Sequence, residues 1–146
     1  MSDLLAHPQW VYLPAFVFGS CVGSFLNVVI HRLPRGISVV HPPSACPGCG
    51  HRVRPWENVP VLAWIALRGR CSECGSRISL RYPTVEFLAG FFAVASLWWF
   101  GPTLEALTSF VLLAAMIAVA FIDWEHMIIP DQISLGLLGL GLAVSP

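Results

Sequence analysis

The sequence predicts an all-α polytopic membrane protein with three full transmembrane helices, a truncated fourth helix and a small loop between the first two. Of its 146 residues, 56% are hydrophobic and only 11% are charged, less than half the charged share of an ordinary soluble protein. Three apolar runs approach the roughly 20 residues that a helix needs to cross a bilayer. The composition excludes an extended disordered chain and argues against a soluble globule.

The first apolar run covers residues 10–30 and contains no charged residue. A cleaved signal peptide would carry a basic region before this run, but residues 1–9 contain Asp3 and no Lys or Arg. His31, Arg32 and Arg35 follow the run instead. Basic residues on this side are typical of a helix that stays in the membrane.

The second and third runs cover residues 83–100 and 104–122, and each has one glutamate near its start, Glu86 and Glu105. We expect both in first helical turns, where the helix dipole favours a carboxylate. A fourth run, 133–145, has the composition of a helix cut short. Its three glycines would allow close contact with another helix; they are Gly136, Gly139 and Gly141.

The charge distribution predicts the orientation of these helices. The formal net charge is zero, yet all eight cationic residues are Arg and lie between Arg32 and Arg81. Short loops rich in Lys or Arg stay in the cytoplasm, so we expect the loop to be cytoplasmic and Asp123 to lie at the cytoplasmic end of the third helix. The predicted division is a first transmembrane helix in 1–31, a cytoplasmic loop in 32–82 and further helices in 83–146.

The loop contains two C-x-x-C pairs, Cys46 with Cys49 and Cys71 with Cys74, separated by 21 residues. The pattern is typical of a zinc ribbon, with a spacing just beyond the usual range. Four thiolates suit a tetrahedral, structural Zn²⁺. Two disulfides or four free thiols are the alternatives, and disulfides are disfavoured in a reducing compartment. His51 is an alternative ligand, whereas Cys21 in the first helix is expected to be a small packing residue.

A group of ionisable residues follows the third helix and includes Asp123, Glu125 and Asp131. An ionisable group at the end of an apolar helix marks a candidate functional site, although acidic residues also occur simply where a helix leaves the membrane. Aspartic protease chemistry needs two carboxylates, one acting as base and one protonated. The candidates in this chain to pair with Asp123 are Glu125, Asp131, Glu86 and Glu105.

In four segments the sequence resembles the type IV prepilin peptidases, membrane aspartic proteases that also N-methylate the new N-terminus of their products. Residues 23–34 (GSFLNVVIHRLP) resemble the first-helix signature of that family. The paired-cysteine loop, with RPWENVP inside it, resembles the family's cytoplasmic zinc domain. Arg81-Tyr82-Pro83 with Glu86 resembles the entry into the second helix, and residues 122–131 resemble the segment of the first catalytic aspartate.

The resemblance implies that Asp123 is the first catalytic aspartate and that Asp131 occupies a supporting motif position. It implies structural Zn²⁺ on Cys46, Cys49, Cys71 and Cys74, and S-adenosylmethionine as methyl donor. The implied substrates are type IV prepilins or type II secretion pseudopilins, cleaved at the cytoplasmic side of the bacterial inner membrane. We expect membrane lipid around the helices of this protein, and no nucleic-acid partner.

One departure from the family pattern concerns the second catalytic aspartate, which lies in a Gly-x-Gly-Asp motif on a later helix. The sequence contains no Gly-Asp pair. We therefore expect an N-terminal fragment that is inactive alone, with a second polypeptide as a possible source of the missing helices. A non-enzymatic, membrane-anchored zinc-ribbon interaction module is the alternative. An Arg-rich nucleic-acid-binding ribbon is disfavoured, because orientation in the membrane already accounts for the Arg excess.

Overall fold

A computed structural model describes residues 9–144, and within this range it contains five α-helices and no β-strand. Three of the helices are long and apolar enough to cross a membrane. The predicted all-α membrane class is therefore confirmed. In chain order the helices are α1 (Tyr12–Arg32), α2 (Leu62–Ala66), α3 (Arg81–Phe100), α4 (Leu104–His126) and α5 (Asp131–Val144).

The long helices extend past the apolar runs that predicted them. α3 begins at Arg81 rather than at residue 83, so Glu86 lies in its second turn and not in the first, where we expected it. α4 begins after Thr103, whose hydroxyl accepts the backbone N–H of Ala106, and Glu105 does lie in its first turn. The helix continues to His126, which places Asp123 inside its last turn. Polar residues extend a helix beyond the bilayer without breaking it, so hydropathy alone underestimates these ends.

The most extensive helix contact joins α1 to α3, and it depends on small residues. A Cβ atom on Gly19 would lie 2.6 Å from the backbone oxygen of Ala89. A Cβ atom on Gly23 would lie 2.7 Å from the Cα of Glu86. Only glycine at these positions allows the two backbones to approach this closely, as at many helix contacts within membranes.

We expect Gly23→Ala to destabilise the protein by about 1–3 kcal/mol, because the new methyl group overpacks a contact made with backbone. In an unconstrained helix the same change is stabilising by roughly 0.5–1 kcal/mol. Gly136→Ala is the matched control, since a Cβ there meets no atom within 4 Å. Thermal unfolding in detergent, followed by helical circular dichroism, should give shifts of opposite sign. Shifts of the same sign and size would contradict this packing.

Residues from α1, α3 and α4 form one apolar core, in which Ile30, Val85 and Ile122 are fully buried. These three side chains lie near the end of the bundle that carries the residue 33–80 segment, here called the cysteine loop. The outer faces of the long helices are rich in exposed apolar side chains, as lipid contact requires. Cys21 is exposed on α1 and does not pack in the core, so that expectation was wrong.

The glycines of α5 also differ from expectation. A Cβ added to Gly136, Gly139 or Gly141 meets nothing within 4 Å, so in the described structure none of them makes a close helix contact. α5 comprises 14 residues and ends at Val144, while residue 145 of the predicted run lies outside the described residues.

Candidate metal centre and carboxylate site

The cysteine loop contains two turns built in the same way. In the first, the N–H of Cys46 bonds to the carbonyl of His51, and the N–H of Gly50 bonds to the carbonyl of Cys46. Cys71 makes the matching bonds with Ser76 and Gly75 at the same spacing. Gly50 and Gly75 have φ values of +72° and +70°, which a side chain would strain. Each C-x-x-C pair thus closes one tight turn.

The two turns face each other and bring four sulfur atoms together. The Sγ atoms of Cys46, Cys49, Cys71 and Cys74 all lie within 4.8 Å of one another. The distance from Cys46 to Cys74 is 3.7 Å and that from Cys49 to Cys71 is 3.9 Å. Tetrahedral zinc with bonds of about 2.3 Å separates its sulfur ligands by about 3.8 Å. The cluster therefore fits a four-thiolate zinc ion.

The ionisation of these thiols also suits a bound cation. The hydroxyl of Ser76, helped by the backbone N–H groups of Gly48 and Cys49, lowers the pKa of Cys46 to about 6. The backbone N–H of His51 favours the thiolate of Cys49, but the neighbouring Cys74 sulfur, desolvation and the other thiols raise its pKa to about 12. The opposite shifts at Cys46 and Cys49 reflect the mutual repulsion of neighbouring thiolates, which a divalent cation would remove.

A carboxylate beside the cluster ties the first turn to the rest of the loop. Glu57 accepts the Ser72 hydroxyl at 2.6 Å, the backbone N–H of Arg54 at 2.9 Å, and lies 3.0 Å from Nε2 of His51. These bonds, the Ser72 bond first, lower the pKa of Glu57 to about 2. His51 is held by Glu57 and, at 3.9 Å, by Glu73. Its ring is therefore bound to carboxylates, which disfavours its alternative role as a metal ligand.

The cysteine loop is attached to the membrane helices by polar contacts that the sequence did not reveal. A carboxylate oxygen of Glu86 accepts the backbone N–H of Val61 at 2.7 Å, just before α2. The hydroxyl of Ser24 lies 3.5 Å from the side-chain oxygen of Asn58. Val61 has a φ of +62°, which is costly for a β-branched residue. The bond to buried Glu86 holds the chain in this conformation.

Asp123 lies in the last turn of α4, at the end of the bundle that carries the cysteine loop. It is exposed, and within residues 9–144 its carboxylate makes no hydrogen bond or ion pair. Its neighbour Glu125 forms an ion pair with Arg81 at the start of α3. This ion pair joins the adjacent ends of α3 and α4. Asp123 lies beside it, with an exposed carboxylate that has no partner among residues 9–144.

The other candidate partners for Asp123 are occupied or distant. Glu125 is bound to Arg81, and Glu86 is bound to the loop. Glu105 is 18 residues earlier on the same helix, which corresponds to about 27 Å along the axis. The described structure therefore does not bring any of these three carboxylates to Asp123 as a free partner.

Asp131 is the first residue of α5, and it is exposed. α4 ends where Met127 adopts a left-handed conformation with a φ of +54°. Ile128, Ile129 and Pro130 then lead into α5. A carboxylate in a first turn stabilises a helix through its dipole, so a structural role accounts for Asp131 in this position.

A shallow groove of about 340 Å³ lies beside this end of the bundle. Its lining includes Arg81 and Glu125, with Phe121 and Trp124 from α4 and Thr84 from α3. Asp123 does not line it. The lining residues from α4 are within two positions of Asp123, so the groove places apolar surface and an ion pair beside that residue.

The fold and the four-cysteine cluster define the class: a helical membrane protein with a loop between its first two long helices whose four cysteines could hold a metal ion. Comparison with known families then identifies the family within this class. The family described as "Bacterial Peptidase A24 N-terminal domain" matches residues 17–100, more than half of the chain. "Type IV leader peptidase family" matches residues 110–145, which include Asp123 and Asp131. The chain belongs to the type IV leader peptidase family, as the resemblance predicted.

Curated relatives support this membership. The "Prepilin leader peptidase/N-methyltransferase" of Myxococcus xanthus is 48% identical over 130 residues, which are 89% of this chain and 39% of that relative. The protein of the same name from Burkholderia pseudomallei is 43% identical, over 90% of this chain and 50% of the relative. The one from Pseudomonas aeruginosa is 38% identical, over 97% and 57%. The chain thus spans about half the length of these relatives. No solved structure matches it.

Proposed function

We propose that this chain provides the N-terminal part of a prepilin leader peptidase/N-methyltransferase. In this proposal it works in the bacterial inner membrane, with the cysteine loop in the cytoplasm, and acts on type IV prepilins or type II secretion pseudopilins. The observation that carries the proposal is the uncommitted carboxylate of Asp123 at the end of α4, in a chain of this family. A leader still attached to its pilin would present the scissile bond at that membrane edge.

Asp123 is proposed as one of two catalytic carboxylates. One carboxylate of such a pair takes a proton from the attacking water, while the protonated partner polarises the scissile carbonyl. Because Glu86 and Glu125 are bound elsewhere, we propose that the partner comes from a Gly-x-Gly-Asp segment outside this sequence. That segment would belong to a continuation of the chain or to a second polypeptide. Asp131 would support the site by fixing the start of α5.

Zinc is proposed from the geometry of the cysteines, and the methyl donor from the names of the relatives. The four cysteines fit Zn²⁺, which would staple the two turns of residues 32–82 into one cytoplasmic unit. S-adenosylmethionine is proposed as the methyl donor from the activity named in the relatives. We assign no described residue to methyl transfer.

The proposal predicts that cleavage depends on a second segment. In membranes that contain a prepilin, we expect no cleavage by this chain alone. Co-expression with the remaining helices of a relative, including its Gly-x-Gly-Asp segment, should restore cleavage, measured by the mobility of the processed pilin. The control replaces that added Asp with Asn. Cleavage by the chain alone would show that its own residues complete the site, and failure in every combination would favour the non-enzymatic zinc module.

A further inference from the structure

The segment from Trp56 to Ala66, here called the tip segment, exposes an unusual amount of apolar surface. Its exposed fractions are 66% for Trp56, 43% for Val59, 66% for Leu62 and 59% for Ile65. It includes all of α2. Scattered exposed apolar residues need no explanation, but a run of large ones on a short segment marks an interaction surface.

Three of the five side chains of α2 are exposed on its outer side. Leu62, Ile65 and Ala66 share one face of the helix at a spacing of three and four residues, and all three are exposed. Trp64 points to the other side, where its indole N–H donates to the carbonyl of Ile78 at 3.2 Å. α2 is thus apolar on all sides: Trp64 fixes its inner side to the loop through one hydrogen bond, and its outer side leaves apolar surface exposed.

Two contacts fix the depth of the tip segment relative to the membrane helices. Val61 bonds to Glu86, five residues into α3 from Arg81, which is about 7.5 Å along the helix axis. Asn58 lies against Ser24, eight residues before the end of α1 at Arg32, or about 12 Å. Both contacts place the tip below the charged ends of the helices that cross the bilayer. Side chains exposed at this depth face the boundary between headgroups and acyl chains.

The charges that flank the tip segment suit anionic lipid headgroups. Arg68 and Arg70 follow α2 directly, and both are exposed. On the other side the guanidinium of Arg54 lies 5.8 Å from the ring centroid of Trp56, but it also pairs with Glu73 at 3.4 Å, so Arg68 and Arg70 are the cations that carry the argument. Tryptophan is enriched at membrane interfaces, and basic residues near a bilayer are attracted to anionic lipid. An apolar segment followed by basic residues therefore suits the interface, where apolar side chains reach acyl chains and basic ones reach headgroups.

We propose that the tip segment is inserted into the cytoplasmic leaflet, with Leu62 and Ile65 in contact with lipid acyl chains and Glu86 holding it at that depth. The occupant of the apolar face is lipid, because the contacts with Glu86 and Ser24 set its depth along the long helices and exposed arginines follow it. In this arrangement part of the cysteine loop lies within the membrane interface, and the loop is not entirely surrounded by water. The leaflet named here rests on the loop orientation given under the proposed function, whereas insertion itself depends on the membrane-spanning helices and not on peptidase activity.

The test measures the depth of single side chains in the full chain, reconstituted into nanodiscs that contain anionic phospholipid. Leu62→p-acetylphenylalanine introduces a ketone that carries a nitroxide without using the cysteines. The matched control is the same change at Val40, an exposed apolar residue of the loop outside the tip segment (74% exposed). Collisions of each nitroxide with oxygen, which concentrates in lipid, are compared with collisions with a water-soluble nickel chelate. Helical circular dichroism confirms that each variant folds.

We expect the ratio of oxygen to nickel collisions to be several-fold higher at position 62 than at position 40, and the same at Ile65. A ratio at 62 equal to that at 40 would show that the tip lies in water and would overturn the proposal. Low collision rates with both reagents at 62 and 65 would show that protein covers the face, either a second copy or another segment, and would equally overturn it.

Discussion

Cys74→Ser is expected to release the metal and unfold the cysteine loop, because the turns around Cys46 and Cys71 have almost no core of their own. Among the four cysteines only Cys71 is buried, and the two turns are joined through the sulfur cluster and the polar contacts of Glu57 with His51 and Ser72. Structural zinc sites contribute an apparent 10–16 kcal/mol or so at neutral pH. This is comparable with the whole stability of a small domain, about 5–15 kcal/mol. A serine hydroxyl does not replace the lost thiolate.

Metal analysis and limited trypsin digestion measure the two consequences. The wild-type chain should bind one zinc, and Cys74→Ser should bind none. Because every Arg lies between Arg32 and Arg81 and the sequence has no Lys, trypsin reports on this region alone. Cleavage there should be faster by about tenfold or more, since it follows the population of the open form. Cys21→Ser, which alters the one cysteine outside the cluster, is the control. Full zinc binding by Cys74→Ser would refute the four-cysteine site.

The parts of the fold that sequence reasoning predicted are those that local pattern determines. Length and hydropathy are enough to locate a membrane helix, so α1, α3 and α4 were found within a few residues of their ends. The geometry of each C-x-x-C pair is determined locally, since the pair and the glycine after it specify one turn. Both features could be predicted without knowledge of which helix lies beside which.

The contacts that hold the loop and the helices together were not predictable in this way. Val61 and Glu86 are 25 residues apart, and Arg81 and Glu125 are 44 apart. No periodicity or spacing links such pairs. The available signal was Glu86 itself, because a carboxylate inside an apolar helix needs a partner. We assigned it to the helix dipole, which the structure shows to be wrong, since it lies one turn further in and binds the loop.

Of the proposed pair of catalytic carboxylates, the sequence predicts only Asp123. The hydropathy pattern placed Asp123 at the end of α4, and the structure confirms that position. A catalytic pair, however, depends on how distant segments meet, and nothing in the pattern around Asp123 names its partner. The structure narrows the choice by showing that Glu86 and Glu125 are bound to other groups. The role of Asp123 stays a prediction that activity has to test.

Asp123→Asn is expected to abolish prepilin cleavage in the co-expressed, active assembly, with a loss of about 10²–10⁴-fold or more in rate, the usual contribution of a general acid or base. Asparagine keeps the shape of the side chain but cannot accept a proton from water. Because Asp123 is exposed and makes no described side-chain bond, the change should leave folding and zinc content intact. A loss of rate without a loss of protein therefore assigns the residue to chemistry.

The matched control is Glu105→Gln, which neutralises an exposed carboxylate at the opposite end of the same helix. The cleavage rate of this variant should stay within about twofold of the wild-type rate. A surface substitution away from the site rarely changes the free energy of unfolding by more than about 0.5 kcal/mol, so the amount of folded protein should not change. Asp131→Asn should cost the helix dipole about 0.3–1 kcal/mol at the start of α5, a small effect beside the loss at Asp123. If Asp123→Asn still cleaves while Asp131→Asn does not, the catalytic carboxylate is Asp131. In that case the proton transfer we assign to the end of α4 belongs to the start of α5.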